Sequence, residues 1–451
     1  MCAESTSSNV NFPLRSRRRT AAAIQSTPMD RLIVAGGRRL QGSVRIRGAK
    51  NSALKLMAAS LLADGETVIE NVPQIADCLT MADVLSHLGA KLRWEGSSLR
   101  IDTSEVSGVE TPYELVRRMR ASIVVLGPLL ARHGHARVAM PGGCNIGSRQ
   151  IDLHLKGFER MGARFSYDHG YLEAKAPSLQ GAMVSLDFPS VGATENLLMA
   201  AVAASGTTVI ENAAREPEIQ DLAAMLVEMG ATINGAGTTA IEVQGTESFH
   251  PVHHRVVADR VEAGTFAIAA CITNGDVVLR EARADHLDLV LDKLADAGAE
   301  VTTEEAGLRV TMSERPRSVD FVTLPYPGFP TDLQPQMMAM LSMARGTSIV
   351  TENVFESRFM FVDELNRMGA DIRTEGHHAV IRGVELLSSA PVRALDIRAG
   401  AAMVIAALAA NGTSEISDMH HVDRGYEDLE GRLASLGADV HREPSLWPAE
   451  V

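Results

Sequence analysis

Gly206-Thr-Thr-Val-Ile-Glu-Asn212, running on to Met229-Gly230-Ala231, decides the fold, because the same phrase returns along the whole chain. A strand opened by glycine leads to a helix closed by Gly-Ala. Self-similarity at a fixed period marks a chain assembled from copies of one unit. Close copies run from Gly346 to Met368-Gly369-Ala370 and from Gly412 to Leu436-Gly437-Ala438, and fainter ones open at Gly65, Gly134 and Gly275. The closing glycines Gly89, Gly162, Gly230, Gly298, Gly369 and Gly437 recur about every 70 residues, so six units fill the chain.

Each unit holds two kinds of helix. One, such as Ile219–Met229, is amphipathic and suits an outer layer. The other precedes the opening glycine and is apolar nearly all round, as in Leu197–Ala204, Phe266–Ile272, Met337–Met343 and Ala401–Ala410. A helix without a polar face is buried on every side. The strands alternate, as in Thr239-Ala-Ile-Glu-Val243. A linear solenoid of such units needs polar capping repeats, and none is legible. The expected fold is therefore α/β, with the six units closed into two three-unit domains. At 451 residues more than one core is expected in any case.

Composition narrows the function. The net charge of −13 argues against a general binder of nucleic-acid backbones, and aromatics at 4% leave little for base stacking. An anionic ligand must then be held by a local cluster of cations. No apolar stretch approaches the roughly 18 residues needed to span a bilayer, so a soluble, cytoplasmic protein is expected. Cys2, Cys78, Cys144 and Cys271 show no paired spacing and read as free thiols. Residues 1–28, with Arg15, Arg17, Arg18 and Arg19 against the one acid Glu4, read as a disordered extension rather than a targeting peptide.

The residue that begins the buried helix occupies one position of the repeat: Lys50, Arg120, Gly192, Arg260, Asp332 and Arg398. Four are cations and one is a carboxylate, yet all lead into apolar helices. Helix N-termini present unpaired N–H groups and a positive dipole end, so cations there are locally unfavourable. Four at equivalent positions point to a bound anion, and six such ends facing one cleft would seek anions strongly. The second unit departs from its siblings at Pro141-Gly-Gly-Cys-Asn-Ile-Gly-Ser-Arg149, where three glycines surround Cys144. Such a segment can move, and a neighbouring cation lowers a thiol's pKa.

These residues fall in long runs. They are Arg47-Gly-Ala-Lys-Asn-Ser-Ala-Leu54, Met119-Arg-Ala-Ser-Ile123, Pro141 to Arg149, Ser190-Val-Gly-Ala-Thr-Glu-Asn196, Asn212-Ala-Ala-Arg-Glu-Pro-Glu-Ile219, Phe329-Pro-Thr-Asp332, Phe355-Glu-Ser-Arg-Phe-Met360 and Asp423-Arg-Gly-Tyr426. From about Arg31 to about Val440 the chain resembles the UDP-N-acetylglucosamine 1-carboxyvinyltransferases of the enolpyruvyl transferase family. The resemblance implies two pseudo-threefold domains of six βαβαββ units, an inside-out α/β barrel arrangement. It implies one domain over 50–257, a second over 29–49 plus 258–442, and a tail over 443–451.

The resemblance also implies roles. Lys50 and Arg398 would hold phosphoenolpyruvate, with Arg120 and Arg149 adding charge, and Asn51 would touch the sugar side. Arg149, Gln150, Ile151, Asp152 and Leu153, with Ser190, Val191, Gly192, Asp332 and Val354, would line the UDP-sugar site, and Arg358 joins the substrate-binding set. Cys144, in the closing loop, would donate a proton or help phosphate leave, and its presence implies alkylation by fosfomycin. The sugar 3-hydroxyl attacks the central carbon of phosphoenolpyruvate while the methylene carbon takes a proton, and loss of phosphate regenerates the enol. Asp332 is the expected base. The acid is Cys144 or Lys50, and the sequence does not rank them. Catalytic weight thus falls on Cys144, Asp332, Lys50 and Arg398. No metal or organic cofactor is implied, the partners are the two small substrates, and a monomer is expected.

Other readings carry less. Asp187-Phe-Pro precedes Ser190 where many relatives carry a lysine, which weakens the nucleotide contacts. The rivals are a 3-phosphoshikimate enzyme, a paralogue with another nucleotide acceptor such as UMP, and a silent UDP-sugar sensor. Gly235-Ala-Gly is followed by a strand and is no dinucleotide fingerprint. His253-His254, His377-His378 and His420-His421 read as surface or turn residues, and Met337, Met338, Met340 and Met343 as core.

Overall fold

The computed structural model describes residues 30–140 and 151–444, with the backbone alone for Arg118 and Arg120. The expected extension over 1–28, and the Pro141–Gln150 segment with Cys144, Arg149 and Gln150, lie outside the described residues, as does the chain beyond Pro444.

Six separate four-stranded sheets carry one strand order. In the third unit, Met183–Ser185 runs parallel to Thr207–Glu211. That strand pairs antiparallel with Ala240–Gln244, which pairs antiparallel with Thr232–Asn234. The N-terminal strands complete units far along the chain. Asp30–Ala35 lies between Thr413–Ser417 and Asp439–Pro444, and Gln41–Arg45 runs parallel to Asp276–Arg280. His253–Arg255 closes the first unit's sheet beside Glu66–Glu70. All six closing glycines, Gly89, Gly162, Gly230, Gly298, Gly369 and Gly437, have φ between 90° and 112°. That left-handed conformation ends a helix and favours a residue without Cβ.

The inner helices are α1 (Lys50–Ala59), α2 (Leu126–His133), α3 (Val191–Ala201), α4 (Arg260–Ile272), α5 (Gln334–Leu341) and α6 (Ile397–Ala409). In α6 every residue from Arg398 to Ala409 is buried, as a helix without a polar face requires. Some starts differ from the expected position. Arg120 opens the 3₁₀ turn Arg120–Val125 and Asp332 is the second residue of the 3₁₀ turn Thr331–Leu333, rather than lying in α-helix, while Gly192 and Arg398 are the second residues of α3 and α6. Pro128 and Pro335 lack the N–H that would bond back to Val124 and Thr331, so the turns before α2 and α5 tighten instead.

Buried apolar side chains form two clusters. One extends from Ala49 to Val256, and the other joins Leu32–Ile46 to Val261–Ala438. Each fully buried Leu, Ile, Met or Phe contributes about 1.5–3 kcal/mol of transfer free energy. The chain crosses between the clusters twice, and the crossings pair with each other. Gly48 bridges Ala258, the Ala49 N–H donates to the Val257 carbonyl at 2.7 Å, and the Asp259 N–H to the Arg47 carbonyl at 2.8 Å. The site lies around these crossings.

His254 corrects the surface reading of the histidine pairs. It is buried, with Nε2 2.9 Å from Asp221 Oδ1 and Nδ1 3.0 Å from Glu228 Oε2. Cys78 and Cys271 are free and buried, and burial pushes the Cys271 thiol up to about 12.

Candidate active site

α1 starts beside the first crossing with Lys50, whose side chain turns inward and is only 7% exposed. Its Nζ lies 2.6 Å from Asp77 Oδ2. Burial lowers the Lys50 pKa, Asp77 opposes that, and the charges of Arg398 and Arg424 act with burial. Asp77 feels the reverse: burial favours its neutral form, but Lys50 and Arg424 outweigh burial and hold the carboxyl below its usual value. Arg424 Nε donates to Asp77 Oδ1 at 2.8 Å.

Asp259 serves two helices at once. Its Oδ1 accepts from the Val261 and Glu262 amides at the start of α4, at 2.8 and 3.0 Å, and its Oδ2 accepts the Lys50 amide at 3.1 Å. Asp396 likewise accepts the Arg398 and Ala399 amides at the start of α6, at 2.7 and 3.0 Å. These caps correct the expectation of free helix-end N–H groups in α4 and α6. An N-cap carboxylate both satisfies them and offsets the dipole. Attraction for an anion at these two ends rests on side chains.

Asp332 lies between two guanidinium groups. Its Oδ2 is 3.0 Å from Arg398 Nη2, and its Oδ1 is 3.3 Å from Arg358 Nη2. Burial works against the Arg398 charge, but Asp332, Tyr426 and Asp259 outweigh it and hold the group protonated. Buried Glu352 fixes the surrounding turns. Its Oε1 accepts from the Val354 and Phe355 amides at 2.8 and 3.0 Å, and its Oε2 from Thr331 Oγ1 at 3.0 Å. Val354 and Thr331, the neighbour of Asp332, are thereby tied to one carboxylate.

A second group gathers around His154. Ile151 immediately precedes the helix Asp152–Arg160, which begins with Asp152 and Leu153. A Cβ on Gly192 would stand 3.4 Å from the His154 ring, so that ring lies against the start of α3. Ser190 Oγ caps α3 by accepting the Ala193 amide at 3.3 Å. Asn196 contacts His154 Nδ1 at 3.1 Å and accepts the Gly127 amide at 2.7 Å. Lys55 ties this group to α1, donating to the Asn51 carbonyl at 2.7 Å and pairing with Glu195 at 3.2 Å. Burial, the largest influence on Glu195, pushes its carboxyl up to about 7 against the charge of Lys55.

Arg260 shares the repeat position but is engaged elsewhere: its Nε lies 3.1 Å from Glu218 Oε1. Asp77, Arg424, Glu352 and Tyr426 belong to the site and were not singled out from sequence. Arg424 and Tyr426 stand in the run Asp423-Arg-Gly-Tyr426, which was a signal. Asp77 gave none, because it sits on the outer helix Ala76–His87 and off the repeated position.

Residues 34–433 match the family described as EPSP synthase (3-phosphoshikimate 1-carboxyvinyltransferase). The UDP-N-acetylglucosamine 1-carboxyvinyltransferase of Corynebacterium jeikeium is 54% identical over 413 residues, covering 92% of this chain and 99% of that protein. The chain belongs to the UDP-N-acetylglucosamine 1-carboxyvinyltransferase family. The family member of Mycobacterium bovis is 52% identical over the same shares of each chain. Among solved structures, the enolpyruvyl transferase NikO from Streptomyces tendae matches with a TM-score of 0.83 at 26% identity, over 92% of this chain and 99% of that one. EPSP synthase from Acinetobacter baumannii matches at 0.73 and 18% identity, over 92% and 100%, which shows the fold alone. The two-domain, six-unit α/β architecture is thus that of the wider family.

Proposed function

We propose that this chain transfers the enolpyruvyl group of phosphoenolpyruvate to the 3-hydroxyl of UDP-N-acetylglucosamine with release of phosphate, the first committed step of peptidoglycan precursor synthesis. The observation that carries this is the 54% identity to a transferase of that name over 99% of its length. The family description names 3-phosphoshikimate, but the EPSP synthase structures reach only 18% identity, which favours the UDP-sugar as acceptor.

The geometry suits this chemistry. Phosphoenolpyruvate carries several negative charges, and Lys50, Arg398 and Arg424 supply fixed, buried or half-buried cations in place of its water. Asp332 is the base for the sugar hydroxyl. It is flanked by the guanidinium groups of Arg358 and Arg398, at 3.3 and 3.0 Å. An arriving anion that competes for Arg398 frees Oδ2 to accept the hydroxyl proton. The hydroxyl oxygen then bonds to the central carbon, and the methylene carbon gains a proton from Cys144 or Lys50. In the second half the C–O bond to phosphate breaks and the methyl group returns a proton. The lowered pKa of Lys50 suits it to proton transfer as well as anion binding. Ile151–Leu153, Ser190–Gly192 and Val354 form the nucleotide side, with Arg120, Arg149 and Gln150 completing the substrate set.

The reading carries a cytoplasmic monomer with it. No helix among the described residues is long and apolar enough to cross a membrane. Product analysis by mass spectrometry tests the acceptor. Incubation with phosphoenolpyruvate and equal amounts of UDP-N-acetylglucosamine, UMP and 3-phosphoshikimate is expected to give one enolpyruvyl product, on the UDP-sugar. A product on either other acceptor, with the UDP-sugar untouched, contradicts the assignment.

A further inference from the structure

The N-terminal halves of α4, α5 and α6 meet at one buried hydroxyl. Tyr426 is 2% exposed, and its Oη lies 3.0 Å from Thr265 Oγ1, 3.3 Å from Gln336 Nε2 and 3.4 Å from Arg398 Nη1. Chemistry fixes the direction of each bond. A guanidinium can only donate, so Tyr426 Oη accepts from Arg398, while the two hydrogens of the Gln336 amide are shared among Tyr426 Oη, Thr265 Oγ1 and the Asp332 carbonyl. Thr265 gives its one hydrogen to the Val261 carbonyl at 2.7 Å, so its oxygen accepts and the Tyr426 O–H donates to it. The phenol thus donates to Thr265 and accepts from Arg398.

The same knot reaches the turn that carries the proposed base. Gln336 Nε2 lies 3.1 Å from the Asp332 carbonyl and 3.2 Å from Thr265 Oγ1. Missing side chains allow the approach. A Cβ on Gly425 would stand 2.5 Å from Ile397 Cγ2 and 3.7 Å from Arg398 Nη1, and one on Gly264 would stand 2.3 Å from Leu333 Cδ1. With so little free space the guanidinium plane of Arg398 has few alternatives. Its Nη1 edge faces Tyr426, and its Nη2 edge faces Asp332.

We propose that Tyr426 is a positioning residue for phosphoenolpyruvate: its hydroxyl holds Arg398 from behind through Nη1, so that the Nη2 edge is presented to Asp332 and to the substrate anion. The inference rests on the proposed role of Arg398. A phenyl ring would fill the same volume, so the hydroxyl is present for its bonds rather than for packing. Without it, Arg398 Nη1 and Gln336 Nε2 lose a buried acceptor, and the guanidinium plane loses its anchor.

The test uses Tyr426→Phe in the full chain, with calorimetric binding of phosphoenolpyruvate and separate KM values for the two substrates. Loss of a hydrogen bond to a charged group predicts a roughly tenfold weaker phosphoenolpyruvate affinity and KM, with the UDP-N-acetylglucosamine KM unchanged. Thr265→Val, which removes the acceptor of the phenol's proton while keeping side-chain volume, should give a smaller rise with the same selectivity. It keeps the proposal testable if Tyr426→Phe fails to fold. In an Arg398→Lys background, adding Tyr426→Phe should cost little more, because the two act as one unit. Wild-type protein that binds no phosphoenolpyruvate would overturn the functional reading and this proposal with it. Wild-type binding with an equal affinity in Tyr426→Phe overturns the proposal alone. So does a full additive loss in the Arg398→Lys background.

Discussion

Lys50 Nζ sits 2.6 Å from Asp77 Oδ2, so the cation at the head of α1 is tethered to an outer helix rather than left bare. Asp77 is the partner that raises the Lys50 pKa, against burial and the charges of Arg398 and Arg424. Asp77→Asn removes that support, and the Lys50 pKa falls further. If charged Lys50 holds the substrate anion, the alkaline limb of kcat/KM for phosphoenolpyruvate moves to lower pH. A pH–rate profile of the variant checks this. An unmoved limb would mean that Lys50 is not the titrating group.

Glu352 holds the Val354 and Phe355 amides and the Thr331 hydroxyl on one buried carboxylate. Glu352→Gln keeps the size but replaces an acceptor oxygen with a donor. The expected result is a loss of about 1–3 kcal/mol in urea unfolding, from amides or a hydroxyl left unmatched. Because the same carboxylate ties the turn carrying Asp332, kcat should fall in the fraction that remains folded.

Glu195 makes stability depend on pH. Its folded-state pKa is raised from 4.5 to about 7, chiefly by burial. Between these values the folded state binds more protons than the unfolded chain, so stability is present below the lower value and is lost as pH rises through about 7. Glu195→Gln stays neutral and should lack this slope. Urea titrations from pH 5 to 8 are expected to show wild type losing up to about 3 kcal/mol relative to the variant. Parallel curves would contradict the assignment.

Cys144 lies outside the described residues, so its prediction rests on the run Pro141 to Arg149. Fosfomycin with UDP-N-acetylglucosamine should inactivate the enzyme and leave an adduct on Cys144. Cys144→Asp should keep transfer activity and take up no fosfomycin. Full wild-type activity without an adduct would remove Cys144 from the proposed site.

What was legible in the sequence was whatever the repeat multiplied. Six glycine-opened strands and six left-handed glycine stops gave the units. Helices apolar all round, such as Ile397–Ala409, gave the inner layer. Lys50, Asp332 and Arg398 stood out because charge at the head of such a helix opposes burial, and the two cations oppose the dipole as well. What was not legible depends on contacts between distant segments. Asp77 and Arg424 meet across the two clusters from an outer helix and a 3₁₀ turn, and neither occupies the repeated position. Asp259 and Asp396 reveal themselves as caps only once their helix starts are known. His254 has ordinary surface neighbours in sequence, and its two carboxylate partners come from the helix Pro217–Glu228.

Phosphate release from phosphoenolpyruvate, measured with and without UDP-N-acetylglucosamine and beside an Asp332→Asn control, tests the central claim most directly. Release that requires the UDP-sugar and collapses in the control is the predicted result. Release that is indifferent to the UDP-sugar, or that survives undiminished in Asp332→Asn, would contradict the assigned acceptor or the assigned base respectively.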